Sequence, residues 1–385
     1  MKKVLICAVV CATALTSCIK DEALNAECDI LGIDSVWLNA NSGIIIGTPI
    51  VTNDHISVNI QKGADRSALN PTFTLTPGAT ITMNQDGIEV EANGVARDFS
   101  SAQTYTTHSE DGVRKKDYTV AFNYPMPIST CSFEHFQLDA TGRYYNWYEV
   151  DTTDVDSPVR NYWASGNAGF ALTGMGSAPA DYPTCTDLAG VSGNGVKLVT
   201  RSTGSFGSLV GMPIAAGNIF LGEFRTAQAM LLPLKATRFG LQLVGGEPLY
   251  LEGYYKYTAG ETYTDGDQNV LPEMHDTADI YAVLYEVDPE NFEPLTGDSV
   301  FTSSRIVSLA RIADPGEPTS WTHFREPFVY QNGKTFDEQR LRTDGYAITI
   351  VATSSRQGAY FEGAVGSTLY VDEIRIVWDG NIIDE

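Results

Sequence analysis

The chain has 385 residues, with 48 Asp and Glu against 25 Lys and Arg, and a formal charge of −23. A charge of that sign and size repels phosphate backbones, and no extended basic run offsets it, so nucleic-acid binding is excluded. A neutral, sugar-like partner or a divalent cation suits such a surface, and the length implies two or three domains.

Lys2 and Lys3 precede an apolar stretch from Val4 to Leu15. At about a dozen residues it is too short to span a ~30 Å hydrocarbon core, and it reads as a signal peptide over residues 1–17. It ends in Leu15-Thr16-Ser17-Cys18, which resembles a bacterial lipobox. That resemblance implies an acylated Cys18 anchored in outer-membrane lipid, each buried CH₂ contributing about 0.8 kcal/mol. Ile19-Lys20-Asp21-Glu22 resembles the lysine-plus-acidic signal that sends lipoproteins of Bacteroides-like bacteria to the cell exterior. Residues 18–32 are expected to be a polar tether.

Cys7 and Cys11 leave with the signal and Cys18 is the anchor, so Cys28, Cys131 and Cys185 remain. An odd count in an oxidising compartment leaves at least one thiol free. Pairing of Cys131 with Cys185 stays open, and Cys28 is expected unpaired in the tether. No C-x₂-C spacing suggests structural zinc.

From Ile33 the pattern becomes short β-prone runs: His55 to Ile60, Phe73 to Leu75, Ile81 to Met83, Ile88 to Val90 and Tyr118 to Phe122. Pro77-Gly78, Asp86-Gly87 and Asp111-Gly112 punctuate them as turns. This cadence predicts an immunoglobulin-like β-sandwich over residues 33–124. Tyr124-Pro125-Met126-Pro127 marks the boundary, because two prolines disfavour continued pairing and stiffen the link.

Residues 129–385 also read as strands. Phe239, Leu241 and Leu243 alternate, as do Tyr346, Ile348 and Ile350, while Asp279 to Val287 and Leu369 to Trp378 are longer β-rich runs. Glycines crowd the 160–220 segment and predict loops and turns there, not helices. One helix is predicted around Thr226 to Leu232, cut short by Pro233. The fold class is therefore all-β, an immunoglobulin-like sandwich followed by a larger jelly-roll-like sandwich.

H-E-x-x-H, P-loop and G-x-S-x-G patterns are absent from the sequence, and its five histidines are scattered without ligand spacing. Aromatics carry more information. An exposed indole or phenol offers a flat apolar surface to a pyranose, while Asn, Asp, Glu and Arg bond its hydroxyls. Asn146, Trp147, Trp163, Trp321 and Arg325 are the candidate ligand residues, the three tryptophans lying beside polar or turn residues. Core packing is the competing explanation for each aromatic. Asp265, Asp267 and Asn269 alternate around Gly266 as in a calcium loop, without the full EF-hand pattern, so Ca²⁺ is a possible ligand and no other cofactor is expected. Glu134, Glu223, Asp279, Glu326 and Asp372 could serve a glycosidase, which needs two carboxylates facing one cleft. Sequence alone does not choose the pair.

The large segment resembles the PCMD family, the carbohydrate metabolism domain of Bacteroidetes surface lipoproteins. The resembling stretches include Asn146-Trp147, Tyr162-Trp163-Ala164-Ser165-Gly166-Asn167, Leu251-Glu252-Gly253-Tyr254-Tyr255-Lys256-Tyr257, Trp321-Thr322-His323-Phe324 and Gly363-Ala364-Val365-Gly366-Ser367-Thr368-Leu369-Tyr370-Val371-Asp372-Glu373. Leu75-Thr76-Pro77-Gly78-Ala79 and Tyr105-Thr106-Thr107-His108 are similar to the small immunoglobulin-like modules that precede such domains. The resemblance implies a cell-surface lipoprotein that binds an extracellular oligo- or polysaccharide, alongside other surface glycan-utilisation proteins. The alternatives are a glycoside hydrolase and a structural or adhesive envelope protein.

Overall fold

A computed structural model describes residues 23–127, 130–151 and 159–379. The signal segment, Cys18 and the Lys20-Asp21-Glu22 stretch lie outside the described residues. The fold is all-β and multi-sheet, with helices of at most six residues among those described. No described helix is long and apolar enough to cross a membrane.

In the front domain one six-stranded sheet runs in the order Ile45–Val51, His55–Ile60, Lys115–Asn123, Gln103–His108, Thr80–Gln85, Ile88–Glu91. His55–Ile60 and Lys115–Asn123 are parallel, Val58 standing opposite Phe122. Parallel neighbours need a long crossover, which the intervening strands provide. A second, two-stranded sheet pairs Ile30–Ile33 with Phe73–Leu75. Between them pack Trp37, Ile56, Val58, Ile60, Ile81, Tyr105, Val120 and Phe122.

The expected tether is therefore shorter than residues 18–32. Cys28 is buried, Thr107 Oγ1 donates to its carbonyl, and Asp29 accepts from Lys116 Nζ at 2.6 Å and Tyr118 OH at 3.0 Å. Asp34 then caps a helix over Ser35–Ala40, accepting from the Val36 and Trp37 amides.

Two large sheets enclose the core of the large domain, beside a three-stranded sheet over His135–Leu138, Tyr145–Val150 and Val159–Arg160 and two small two-stranded ones. The larger runs Leu295–Thr296, Thr237–Phe239, Asn218–Phe224, Tyr346–Thr353, Asp279–Glu286, Ile306–Arg311, Val329–Tyr330, with Trp163–Ala164 also paired to Asn218–Phe224. The other runs Thr184–Asp187, Gly195–Val199, Thr368–Trp378, Pro248–Thr258, Thr322–Pro327. Leu251, Tyr255, Tyr257, Leu369, Val371, Ile374 and Ile376 of the five-stranded sheet meet Ile280, Ala282, Leu284, Ile348 and Ile350 of the other in one core. Burying each large aliphatic side chain contributes roughly 1.5–3 kcal/mol.

The central strands Asp279–Glu286 and Tyr346–Thr353 are buried along almost their whole length. Their opposite faces enter a second core with Phe220, Phe239, Tyr281, Val283, Tyr285 and Val351. The predicted Thr226–Leu232 helix is not formed. A 3-10 turn covers Thr226–Gln228, and Pro233 opens a short helix, Pro233–Ala236, instead of closing one. The first helical position tolerates proline because its missing N–H would be unpaired anyway. The glycine-rich segment also differs from expectation, since Asn167–Ala171 and Gly204–Leu209 are short helices.

Cys131 and Cys185 are not bonded to one another, and both are buried as free thiols, like Cys28. Burial pushes the Cys131 thiol well above its ordinary range. The two domains share a hydrogen-bonded seam. Ser57 Oγ donates to the Val159 carbonyl at 3.1 Å, Asn59 Nδ2 to the Asn161 carbonyl, and Asn161 Nδ2 to the Thr48 carbonyl.

Candidate functional site

Alternation within three adjacent strands builds one chemically distinctive surface. In Pro248–Thr258, Leu251, Gly253, Tyr255 and Tyr257 face the core, which leaves Tyr250, Glu252, Tyr254 and Lys256 on the other side. Thr322–Pro327 contributes His323 and Arg325 to that side, because Phe324 between them is core. Thr368–Trp378 contributes Tyr370 and Asp372, and a bulge at Glu373, with φ +49°, resets the phase so that Arg375 joins them. Gly253 permits the close approach this needs. A Cβ there would sit 3.1 Å from both Ile374 Cα and the Phe324 ring.

The register arranges these side chains in rows across the sheet. Tyr370 is opposite Lys256, Asp372 is opposite Tyr254, which is opposite His323, and Arg375 is opposite Glu252, which is opposite Arg325. Lys256 Nζ lies 4.2 Å from the Tyr370 ring centre and 4.3 Å from that of Trp321, whose indole N–H donates to the Ala189 carbonyl at 3.2 Å. Glu252 Oε1 accepts from Arg325 Nη1 at 3.0 Å and Arg375 Nη2 at 3.3 Å, and its Oε2 is 3.5 Å from His323 Nε2. The Arg325 guanidinium lies 4.0 Å above the Tyr250 ring. Glu252 itself is buried, whereas Arg325 is 47% and Arg375 52% exposed. The face thus offers flat aromatic surface beside fixed donors and acceptors.

The five ligand candidates do not gather in one place. Trp321 and Arg325 lie on this face. Trp147 is 1% and Trp163 6% exposed, both packed in the main core, so neither indole offers an open stacking surface. Trp163 Nε1 donates to Glu149 at 3.2 Å. Asn146 is on Tyr145–Val150, opposite Gln137 of His135–Leu138, in a separate three-stranded sheet. Sequence reasoning did not single out Glu252, Tyr254, Lys256, His323, Tyr370 or Arg375 as one surface. The period-two alternation along 250–257 is the signal that marks their common side.

Asp265 forms a turn. Its Oδ1 accepts from the Asp267 and Asn269 amides at 3.0 and 2.8 Å, and its Oδ2 from Asn269 Nδ2 at 3.0 Å. The Asn269 side chain foremost holds the Asp265 carboxyl below its usual range. Among the described residues, no group of three or more His, Cys, Asp or Glu side chains is arranged to hold a metal ion.

Four of the five candidate carboxylates, Glu134, Glu223, Asp279 and Asp372, already have hydrogen-bond or ion-pair partners. Glu134 accepts from the Asn194 amide at 3.1 Å and Nδ2 at 3.0 Å, while Asp372 accepts from the amides of Val191 at 2.6 Å, Ser192 at 3.3 Å and Glu373 at 2.8 Å. These two acids brace the same Gly190–Asn194 turn. Burial raises the Asp372 carboxyl to about 6. Glu223 pairs with Arg225 and Arg238, and Glu326 is raised by burial alone. Asp279 receives two bonds from Arg311, at 2.8 and 2.7 Å.

Asp279 and Arg311 also line a cavity of about 510 Å³ on the far side of the larger sheet, walled by Phe170, Phe220, Phe224, Phe239, Val300 and Val351. Thr203, Asn218, Thr353, Arg356 and Gln357 line it as well, so polar groups stand beside these apolar walls. The open face differs in presenting two half-exposed guanidiniums next to aromatic rings.

Comparison with known proteins places the large domain. Residues 132–377 match the model of the Putative carbohydrate metabolism domain, and residues 38–121 match that of SGBP, N-terminal. A solved structure from Bacteroides thetaiotaomicron, described as a putative glycoside hydrolase, is 43% identical, with 94% of this chain and 100% of that one covered and a TM-score of 0.69. Another so described, from Bacteroides vulgatus, is 38% identical over 66% of this chain and 99% of its own, with a TM-score of 0.60. No curated protein matches the chain.

Proposed function

Because the chain belongs to the Putative carbohydrate metabolism domain family, we propose that it acts on an extracellular glycan held on the outer face of the five-stranded sheet, as a glycoside hydrolase. The observation that carries this reading is Glu252, set between Arg325 and Arg375, with Tyr254 next to it on the same face and Tyr370 and Trp321 further along, around Lys256. Asp372 stands one register step away on the neighbouring strand and keeps its proton to about pH 6. Two carboxylates in contrasting surroundings are what acid-assisted glycoside cleavage uses. The descriptions of the two Bacteroides relatives support the same activity.

Binding without cleavage is the second reading. It is favoured by the three backbone amides that Asp372 already accepts from. Reducing-sugar release from a panel of extracellular polysaccharides separates the two. Hydrolysis predicts release by the full chain and a loss of roughly 10²-fold or more in Glu252→Gln, with folding retained. Saturable retention on a polysaccharide with no release would leave the binding reading.

The finer architecture belongs to the same proposal. The front domain is an immunoglobulin-like spacer, and the large domain a jelly-roll-like sandwich. Acylated Cys18 holds both on the outer membrane, facing the cell exterior. Cys18→Ser should abolish incorporation of labelled fatty acid and release the protein from the membrane fraction. Unchanged labelling would refute the anchor.

A further inference from the structure

The acidity of the whole chain suggests a neutral ligand, yet the proposed site gathers several cationic side chains. Lys197, Lys256, Arg325 and Arg375, with His323, lie on or beside one sheet face of a protein whose formal charge is −23. The acidic groups on or next to that face include Glu252, Asp187, Asp372 and Glu373. Lys256 Nζ is 3.4 Å from Asp187, and Lys197 Nζ is 5.6 Å from the Tyr370 ring centre.

Glu252 orders the two arginines without neutralising both. Arg325 and Arg375 each direct one N–H to the same oxygen, Oε1. A guanidinium carries five N–H donors. The others on these two have no hydrogen-bond acceptor among the described residues, although the side chains are about half exposed. Tyr250 beneath Arg325 fixes the plane of that fork, which lowers the entropy lost when it grips a planar anion. Tyr254 lies in the next row of the same face, and Trp321 stands further along it against Lys256.

We propose that the glycan recognised here is anionic, its carboxylate or sulfate held by Arg325 and Arg375 while its ring lies against the neighbouring aromatics. This rests on the glycan reading above and narrows it to a substrate class. Paired guanidiniums suit both anions, since charge-assisted bonds to oxygen anions are shorter and about twice as strong as neutral ones. The acidic surface elsewhere then disfavours attachment of the same ligand at other places.

The test is calorimetric titration of the full chain with four probes in two pairs: an oligogalacturonate with its fully methyl-esterified counterpart, and a sulfated galactan with its desulfated form. The expected result is at least about ten-fold tighter binding of one or both anionic probes than of their neutral counterparts, weakened at 0.5 M salt. The two pairs distinguish a carboxylate ligand from a sulfate. Arg325→Gln and Arg375→Gln should remove most of the difference, and Arg375→Lys should restore part of it, each checked for an unchanged melting transition. The esterified and desulfated probes binding as tightly as the charged ones would overturn the anionic assignment and leave the glycan reading standing. Failure of the four probes and of a neutral polysaccharide panel to bind would overturn both.

Discussion

Trp163 and Trp321 show how one residue type serves two ends. Trp163 has polar neighbours in sequence, which suggests exposure, but those neighbours are buried with it: Arg160, Asn161 and Asn167 are all inaccessible. Its indole N–H is satisfied by Glu149 inside the core. Trp163→Ala should cost about 3–5 kcal/mol in denaturant unfolding. Trp321→Ala should leave stability within about 0.5 kcal/mol and weaken glycan binding instead. Equal stability losses in the two variants would contradict this division. Glu149 also has a pH signature. Burial raises it to about 7, against the hydrogen bonds from Ser132, Trp163 and Phe133. A carboxyl with a raised folded-state value stabilises fully below its unfolded value near 4.5, and that contribution is lost as pH rises to about 7. Glu149→Gln should therefore gain stability relative to wild type between pH 5 and 8, by on the order of 3 kcal/mol. A pH-independent difference between the two would exclude this role.

Among elements, legibility depended on what covers the second face. The alternation in 55–60 predicted a strand with one face buried, and a strand is found over His55–Ile60. Its polar side, Ser57 and Asn59, is buried as well, bonded to the Val159 and Asn161 carbonyls. Tyr346, Ile348 and Ile350 alternate too, but the residues between them are equally buried, because that strand has a core on each side. Two-sided burial removes the polar half of the pattern. The bulge at Glu373 and the brace on Gly190–Asn194 were not readable, since each depends on a partner far away in sequence. At Gly193 the backbone has φ +57°, and a Cβ would meet Glu134 Oε1 at 2.2 Å. Gly193→Ala should lower stability by more than about 1 kcal/mol in thermal unfolding, from strain and clash together. A neutral result would mean that Glu134 moves away freely. The site was half legible for a similar reason. Trp321 and Arg325 declare themselves as residue types, whereas Glu252 and Arg375 matter through cross-strand register.

For the whole molecule, charge and burial act in the same direction. Lowering the pH from 8 to 5 reduces self-repulsion in a chain of formal charge −23. It also recovers the contributions of Glu149 and Asp372, whose folded-state values are about 7 and about 6. Carboxylates held below their usual range, such as Asp29 beside Lys116 and Asp298 beside Lys235, set the opposing limit, because their contribution is lost only on further acidification. The melting temperature should therefore be higher near pH 5 than at pH 8, and a maximum at alkaline pH would contradict the sign. The seam centred on Asn161 links the two domains, and Asn161→Ala should leave the Thr48 carbonyl unpaired at a cost of about 1–3 kcal/mol. Calorimetry should then show the domains melting further apart than in wild type.

Two surfaces compete for the sugar, the outer face of the five-stranded sheet and the cavity beside Asp279. A crystal structure of the full chain soaked with an oligosaccharide that it retains in solution is the direct measurement. Ligand lying across Trp321, Tyr254 and Arg325 on the five-stranded sheet is the predicted result. Ligand inside the cavity beside Asp279 and Tyr281, with the outer face bare, would contradict it.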